Sequence, residues 1–339
     1  MKKTASSSSR NKAAHIDLEQ TLIDVAILYY EQQLTQEEIS QRIGTSRSTI
    51  SRMLDEARER GIVHIKINYP WRRNHDLEDQ LVGQFGLHEA RVLVASQRPE
   101  EEIRRGMGVL AAQLIDSHVK DGQVLGLSYG RSLLSTIEAL HPSREVALTV
   151  VPVIGALGSD NPLIDGTDLV RRFAGAYGAE YRYLPVPLLV EDPITRDSLL
   201  KLPKVQEILA LARHAEIVLM GIGALAPEVS SGIWKGYLDE ARLAKLRQIG
   251  AVGHMCGQFF DADGKTLDLE VNGRTIGIGI DALSSIHNVI AVASGLRKAG
   301  AILGALRGKH LNILVTDDDT AKAILESGQA QETLESIKV

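Results

Sequence analysis

Along LEQTLIDVAILYYE, residues 18–31, the apolar positions Leu18, Leu22, Val25, Ile27 and Leu28 fall largely on one face, a spacing that predicts a helix. A second helix starts after Leu34-Thr35, with Thr35 as N-cap and Glu38 completing a capping box. Ile39 and Ile43 are expected to face inward, and Gly44 to break the helix. Ser46 then caps a third helix over about 47–60, which ends at Gly61 as a C′ glycine. Alternation in IVHIKINY predicts a strand or wing over 62–69. Pro70 closes this block, and the charged stretch WRRNHDLEDQLVGQFG reads as a linker helix.

From about Arg91 the pattern changes. Apolar runs recur with helical patterns between them: VLVA, QVLGLS, LTVVPVIG, EIVLMGIG, AVGHMCGQFF, NVIAVASG and LNILVT. Alternating strand and helix signals imply a mostly parallel sheet with right-handed crossovers. No internal repeat recurs at a fixed period. The expected organisation is a tail over 1–15, a small helical domain over 16–69, a linker helix over 70–88 and an α/β domain over 89–339.

Composition narrows the class. A length of 339 residues suits one small and one large domain. Four Phe and two Trp leave the core to Val, Ile, Leu and Ala, as in a buried parallel sheet. A net charge of -5 excludes a chain that coats nucleic acid by bulk charge, so any DNA contact must come from a local surface. A single cysteine, Cys256, rules out an intrachain disulfide and fits a reducing cytoplasm. The basic, serine-rich leader has no apolar core, so it is not a signal peptide. It reads as a disordered, solvated tail, or else as an arm adding phosphate contacts. No apolar run reaches the ~18 residues that span a bilayer, so no membrane partner is expected.

The segment QEEISQRIGTSRSTISRMLD, residues 36–55, has helix-turn-helix spacing. Ser40 is small where two helices would cross, Gly44 occupies the turn, and Ile39, Ile43, Ile50 and Met53 supply the shared core. The exposed face of the third helix is then Arg47, Ser48, Thr49, Ser51 and Arg52. Arginine can hold guanine through paired hydrogen bonds, and Ser or Thr can contact bases or phosphates. Arg47, Ser48 and Ser51 are expected near bases or adjacent phosphates, and Arg52 on phosphate. A plain helical hairpin is the bland alternative. So little base contact favours a homo-oligomer reading two half-sites of double-stranded operator DNA.

Ligands in open α/β sheets bind beyond the carboxyl ends of the strands. Ser128-Tyr129-Gly130-Arg131-Ser132 follows one apolar run and precedes a helix, an arrangement suited to an anion but equally to a plain capped turn. Gly155 and the pair Gly221 and Gly223 follow two others, where a ligand or a packed strand can approach. Asp261 is placed to accept from ligand hydroxyls, Arg274 to pair with an anion or an acidic neighbour, and Lys298 to reach an anion beyond Ser294-Gly295. For Asp261 and Arg274 a turn or surface role is the alternative. Neither GxGxxG nor GxxxxGK[ST] stands at the right place, so no dinucleotide or nucleoside triphosphate is implied. No cofactor and no metal are expected.

Three stretches, GLSYGRSL, HMCGQFFDADG and above all IAVASGLRKAGAILGALRGKHLNILVTDDDTA, together with the helix-turn-helix, resemble the SorC family of bacterial sugar-responsive regulators. The resemblance runs from about Leu22 to Ile324. It implies an effector domain with a fold like sugar-phosphate isomerases, binding a small carbohydrate or phosphorylated carbohydrate. It also implies oligomers, a dimer or a homotetramer. By position it carries the phosphate loop to Ser128, Gly130 and Ser132, the acidic residue near sugar hydroxyls to Asp261, and a ligand lysine to Lys298. Tyr129, Ser132, Ala156 and Ser294 depart from the family pattern, which leaves the effector a sugar, a polyol or a phosphate of either.

The expected function is transcription regulation of carbohydrate catabolism, with operator binding modulated by the effector and the helix near 76–85 transmitting the change. An isomerase-like enzyme with a DNA-binding head is the rival; Glu191, Asp192 and Asp281 are available as bases, but no local motif marks them as catalytic. A DNA-bridging protein with an empty cleft is the third reading.

Overall fold

The computed structural model describes residues 19–63, 71–95, 97–158, 162–226, 234 and 237–337, with backbone alone at 162 and 330–337. The basic tail expected over 1–15 and all but the first two residues of the strand expected over 62–69 lie outside the described residues. Two compact units divide between Pro70 and Trp71.

In the first unit, α1 covers residues 19–31 and finishes in a π-helical turn over Ile27–Glu31. It is followed by α2, Gln36–Ile43, and α3, Arg47–Glu59. Thr35 and Glu38 form the reciprocal capping box, and Gly44 adopts the left-handed conformation at φ +76° that ends α2. The Ser46 hydroxyl accepts from the Thr49 amide to start α3. Val25, Ile39, Ile50 and Leu54 form the core of this bundle, with Leu28, Tyr29, Leu34 and Met53 packed around them. Two positions depart from the expected inward face. Ile43, the last residue of α2, is 38% exposed, and Ile27, in the π-helical turn, also faces solvent.

The second unit begins with α4, His75–Phe85, the helix expected as a linker. Leu77 and Leu81 of α4 belong to the main core, so this helix is an integral part of the large unit. There follow β1 (Glu89–Leu93), α5 (Glu100–His118), β2 (Val124–Leu127), α6 (Arg131–Glu138) and β3 (Thr149–Pro152). Next come α7 (Gly166–Tyr177), β4 (Glu180–Tyr181), α8 (Pro193–Leu200), α9 (Pro203–Arg213) and β5 (Ile217–Met220). The chain continues through β6 (Gly223–Ala224), α10 (Glu240–Gln248), β7 (Gly253–Met255), β8 (Gln258–Phe260) and α11 (Glu270–Gly273). It ends with β9 (Asn288–Val292), α12 (Ala299–Arg307), β10 (Ile313–Asp317) and α13 (Asp318–Ile337).

Seven strands form one parallel sheet in the order β1-β10-β9-β5-β2-β3-β4. Every residue of β5, β9 and β10 is buried, as expected for central strands covered on both faces. From β2 the chain builds outward through β3 and β4, then returns to place β5, β9 and β10 on the other side. The strand order therefore reverses between β2 and β5, which opens a crevice beyond their carboxyl ends.

The run AVGHMCGQFF does not join this sheet. It folds back on itself as the β7–β8 hairpin, turning at Cys256-Gly257, and β6 completes a separate three-stranded antiparallel sheet. Both turn residues have positive φ, +49° and +73°, as a tight two-residue hairpin requires.

Candidate functional site

The helix-turn-helix presents Arg47, Ser48 and Arg52 to solvent, with Thr49 and Ser51 half-buried. Gln36, Arg47, Ser48, Ser51 and Arg52 line one shallow groove, which joins the start of α2 to the outer face of α3. The Ser46 hydroxyl lies 2.9 Å from that of Ser48 and 2.8 Å from that of Thr49, so these three form one hydroxyl cluster at the start of α3. Arg52 Nε donates to the Ser48 carbonyl at 3.5 Å, and the side chain is exposed, so its guanidinium is accessible to an anion.

At the crevice, β2 runs directly into Ser128, whose amide extends the ladder by donating to the Leu219 carbonyl at 3.0 Å. Ser128 and Tyr129 are buried, Gly130 is half-exposed, and Arg131 faces solvent. Gly130 has φ +123° and nothing near the position of a Cβ, so the backbone turns there in a conformation that only glycine adopts freely. It is the N-cap of α6 and supplies no side-chain cap. The first amides of α6 are thus left to whatever occupies the crevice.

Gly221 follows β5, and a Cβ there would meet the Tyr129 and Val292 carbonyls at ordinary contact distance, between the ends of β2 and β9. Beyond β9, Gly295 has φ +104° and leads into the 296–298 turn and Lys298, the uncapped N-cap of α12. Lys298 is half-buried. Burial, and then the positive charge of Arg131 and Arg104, lower its pKa, with Glu100 acting in the opposite direction. Arg104 is itself paired with Glu100 and Glu101. The structure thus gathers Ser128–Ser132, Gly221, Gly223 and Lys298, together with Arg104 and Arg131, around one strand-end cleft.

Three expected site residues stand elsewhere. Gly155 is packed so closely on the segment 186–188 that a Cβ would overlap the Pro187 carbonyl, which explains that glycine by strand contact. One oxygen of the Asp261 carboxylate, Oδ1, is engaged in its own turn, accepting from the amides of Asp263 and Lys265 at 3.0 and 2.9 Å. That turn lies against Gly304 and Gly308, at the far end of α12 from Lys298. Arg274 donates to the Glu191 carbonyl at 3.2 Å and lies 3.6 Å from Glu270. Among the carboxylates weighed as bases, Asp192 caps α8 through the Ile194 and Thr195 amides, and Asp281 lies 3.4 Å from the Thr266 hydroxyl.

One buried ionisable residue beside Gly223 was not singled out from the sequence. His254, in β7, is 4% exposed and pairs in register with Gly223. Burial first, and the charge of Lys298 second, hold its pKa down to about 3, so the imidazole is neutral.

A helix-turn-helix in the same chain as an α/β domain with a strand-end cleft defines a ligand-responsive transcription regulator. The Sugar-bind family model, a sugar-binding domain, matches residues 69–326, and a Crp-like helix-turn-helix domain matches residues 19–74. The sorbitol operon regulator of Klebsiella pneumoniae is 33% identical over 309 residues, covering 90% of this chain and 97% of that protein. The deoxyribonucleoside regulator of Bacillus subtilis is 30% identical over 307 residues, covering 91% and 97%. The crystal structure of full-length SorC from Klebsiella pneumoniae superposes with a TM-score of 0.71 over 90% of this chain and 98% of that one. The chain therefore belongs to the SorC family of sugar-responsive transcriptional regulators, and it is itself a DNA-binding regulator with a sugar-binding domain. No described helix is long and apolar enough to cross a membrane.

Proposed function

We propose that this regulator's hold on its operator is set by a sugar, polyol or sugar phosphate bound at the carboxyl ends of β2, β5 and β9. The observation that carries the reading is the convergence there of an uncapped helix N-terminus at Gly130 with Lys298 and Arg131. Helix amides and cations together favour an anionic group, and the serines of the Ser128–Ser132 loop add hydroxyl contacts. Ser128, Tyr129, Gly130, Arg131, Ser132, Gly221, Gly223 and Lys298 form this pocket, whereas Gly155, Asp261 and Arg274 support the frame around it. Relatives named for sorbitol and deoxyribonucleoside operons support a carbohydrate-type effector.

Operator DNA is read by Arg47, Ser48 and Ser51 with Arg52 on phosphate, in a cytoplasmic homo-oligomer whose symmetry matches paired half-sites. No turnover of the effector is part of this reading, since no local motif marks Glu191, Asp192 or Asp281 as a base and Asp192 is spent on capping α8. The test is operator affinity at fixed salt with and without a panel of sugars, polyols and their phosphates. An effector should change affinity by about 5–150-fold. A panel without any effect defeats the effector reading, and release of an isomerised product from a bound aldose phosphate would favour the enzyme instead.

A further inference from the structure

At the end of the large sheet away from the cleft, two imidazoles meet beside one asparagine. His88 immediately precedes β1 and His287 immediately precedes β9, and β10 lies between these two strands. The three strands run parallel, so both histidines stand at their amino ends. Asn312, the residue before β10, ties the two positions together. Its carbonyl accepts from the His88 amide at 2.7 Å, and its Nδ2 donates to the His287 carbonyl at 2.8 Å. Its Oδ1 accepts from the Val289 amide at 2.8 Å, which fixes the side chain. The backbones of both histidines are therefore held by a single residue of the intervening segment.

Both histidines are exposed, with ring centres 5.9 Å apart. Neither ring makes a hydrogen bond or an ion pair among the described residues. His118, which approaches the same end of the sheet, differs in this respect. Its Nδ1 lies 2.9 Å from the Leu114 carbonyl and its Nε2 3.7 Å from Glu89.

An imidazole nitrogen with no protein partner is a ready metal ligand, and two on a fixed backbone chelate with little loss of freedom. Metal–nitrogen bonds of about 2.0–2.1 Å place two bound imidazole centres roughly 4.5–6.5 Å apart, for angles at the metal from about 90° to 180°. The observed separation falls inside that range. Imidazole suits zinc, nickel and copper, whereas magnesium and calcium take oxygen ligands.

We propose that His88 and His287 form a two-imidazole site for a divalent transition-metal ion, Zn²⁺, Ni²⁺ or Cu²⁺, with water completing the coordination. The bound ion links the amino ends of β1 and β9 across β10. The site does not depend on how the cleft at the other end of the sheet is used.

The test uses the full-length protein, freed of metal by chelation, with ZnCl₂, NiCl₂, CuCl₂ and MgCl₂ as probes. Binding is followed by calorimetric titration and by thermal shift. Wild-type protein is expected to bind the three transition metals, Cu²⁺ most tightly, and to ignore Mg²⁺. Occupancy should raise the melting temperature with metal concentration. The chain holds ten histidines, so variants must locate the ion. His88→Asn and His287→Asn are each expected to weaken Zn²⁺ binding about tenfold or more, because one imidazole alone loses the chelate. Copper bound at one equivalent to the wild type should show two imidazole nitrogens by electron paramagnetic resonance. Wild-type protein that binds Zn²⁺ no better than Mg²⁺ overturns the proposal. Variants that keep the wild-type affinity overturn it as well, since the ion then sits elsewhere. Should a variant fold poorly, the wild-type copper spectrum decides alone, and fewer than two nitrogens in it overturns the site.

Discussion

Two buried ionisable side chains show how single residues govern the large unit, and both are accessible to the same probe. Trp71 and Trp234 are the only tryptophans in the chain, so fluorescence reports this unit and not the helix-turn-helix. Glu78 of α4 has 5% side-chain exposure and accepts from Arg73 at 2.8 and 2.6 Å and from the Val92 amide at 2.9 Å. Burial opposes its ionisation, but Arg73, the Val92 amide and His75 together outweigh burial, and its pKa is lowered. Glu78→Gln is expected to cost about 2–3 kcal/mol at neutral pH, read from urea denaturation, because Arg73 loses its charged partner. Since the folded pKa lies below the unfolded one, this contribution is present at neutral pH. It is lost as pH falls below about 4.5 toward the folded pKa. The deficit of the variant should therefore shrink in acid, and a deficit constant with pH contradicts the ion-pair account. His254 behaves oppositely to a histidine that gains an anionic partner. Its folded pKa is about 3 against an ordinary 6.5, so between these values the unfolded chain takes up a proton that the folded chain refuses. Stability is expected to fall by about 1.4 kcal/mol between pH 7.5 and 5.5 on this account, and His254→Asn should remove that slope. An unchanged slope in the variant would place the titration on another group.

At the scale of elements, the caps of the helix-turn-helix were fully legible, because each is written in adjacent residues. Thr35 with Glu38, Gly44 and Ser46 all act as their types and spacing suggest. The parallel strands were legible as apolar runs for the same local reason. What escaped was set by tertiary contact. The β7–β8 hairpin hides in a continuous apolar stretch, and its Cys256-Gly257 turn lacks the Asn or Asp that advertises positive φ. Edge strand β4 has only Glu180 and Tyr181, both exposed, and so carries no apolar signal. Asp261 follows a strand of the small sheet, and one of its carboxylate oxygens accepts from the amides of its own turn, a tertiary setting that its place after an apolar run does not reveal. His254 went unremarked since one histidine in an apolar run usually fills core. The clue was its place two residues before Cys256-Gly257, on a hairpin arm that meets the Gly221–Gly223 segment. The packing of the turn after β8 on α12 can be checked directly. Gly264 has φ +80°, and an added Cβ would overlap the Gly304 carbonyl and the Gly308 backbone of α12. Gly264→Ala is expected to cost about 2–4 kcal/mol in the same fluorescence assay, through strain and clash together. A neutral result would mean that the turn does not bear on α12.

For the molecule as a whole, regulation requires that the effector bind two arrangements unequally, and the operator affinity can move by no more than that difference. The large unit has a short connected route on which such a difference can act. At the strand-end cleft, the Gly295 amide donates to Asp317 at 3.2 Å and to the Thr320 hydroxyl at 2.7 Å. The adjacent Asp318 accepts from the Ala95 amide at 2.9 Å, just beyond the carboxyl end of β1. There the first residues of the unit dock: Arg73 bridges Leu93, and the Arg72 carbonyl accepts from the Val94 amide at 2.9 Å. The end of β10 is therefore hydrogen-bonded to the glycine turn before Lys298, and also to the strand end that anchors the chain leaving the DNA-binding unit. Asp318→Ala cuts the second link without touching the pocket or the helix-turn-helix. It should leave effector affinity and effector-free operator affinity within about threefold of wild type, while the ratio of operator affinities with and without effector falls toward one. Both titrations must be run at the same salt, because phosphate contacts alone make operator affinity fall steeply with ionic strength. Arg52→Ala supplies the contrasting case, since loss of one phosphate contact should flatten that salt dependence by about one unit of log slope and leave the effector ratio intact. If Asp318→Ala keeps the full ratio, the effect of the ligand travels by another path, and α4, which also packs on β1 and α13, becomes the next element to cut.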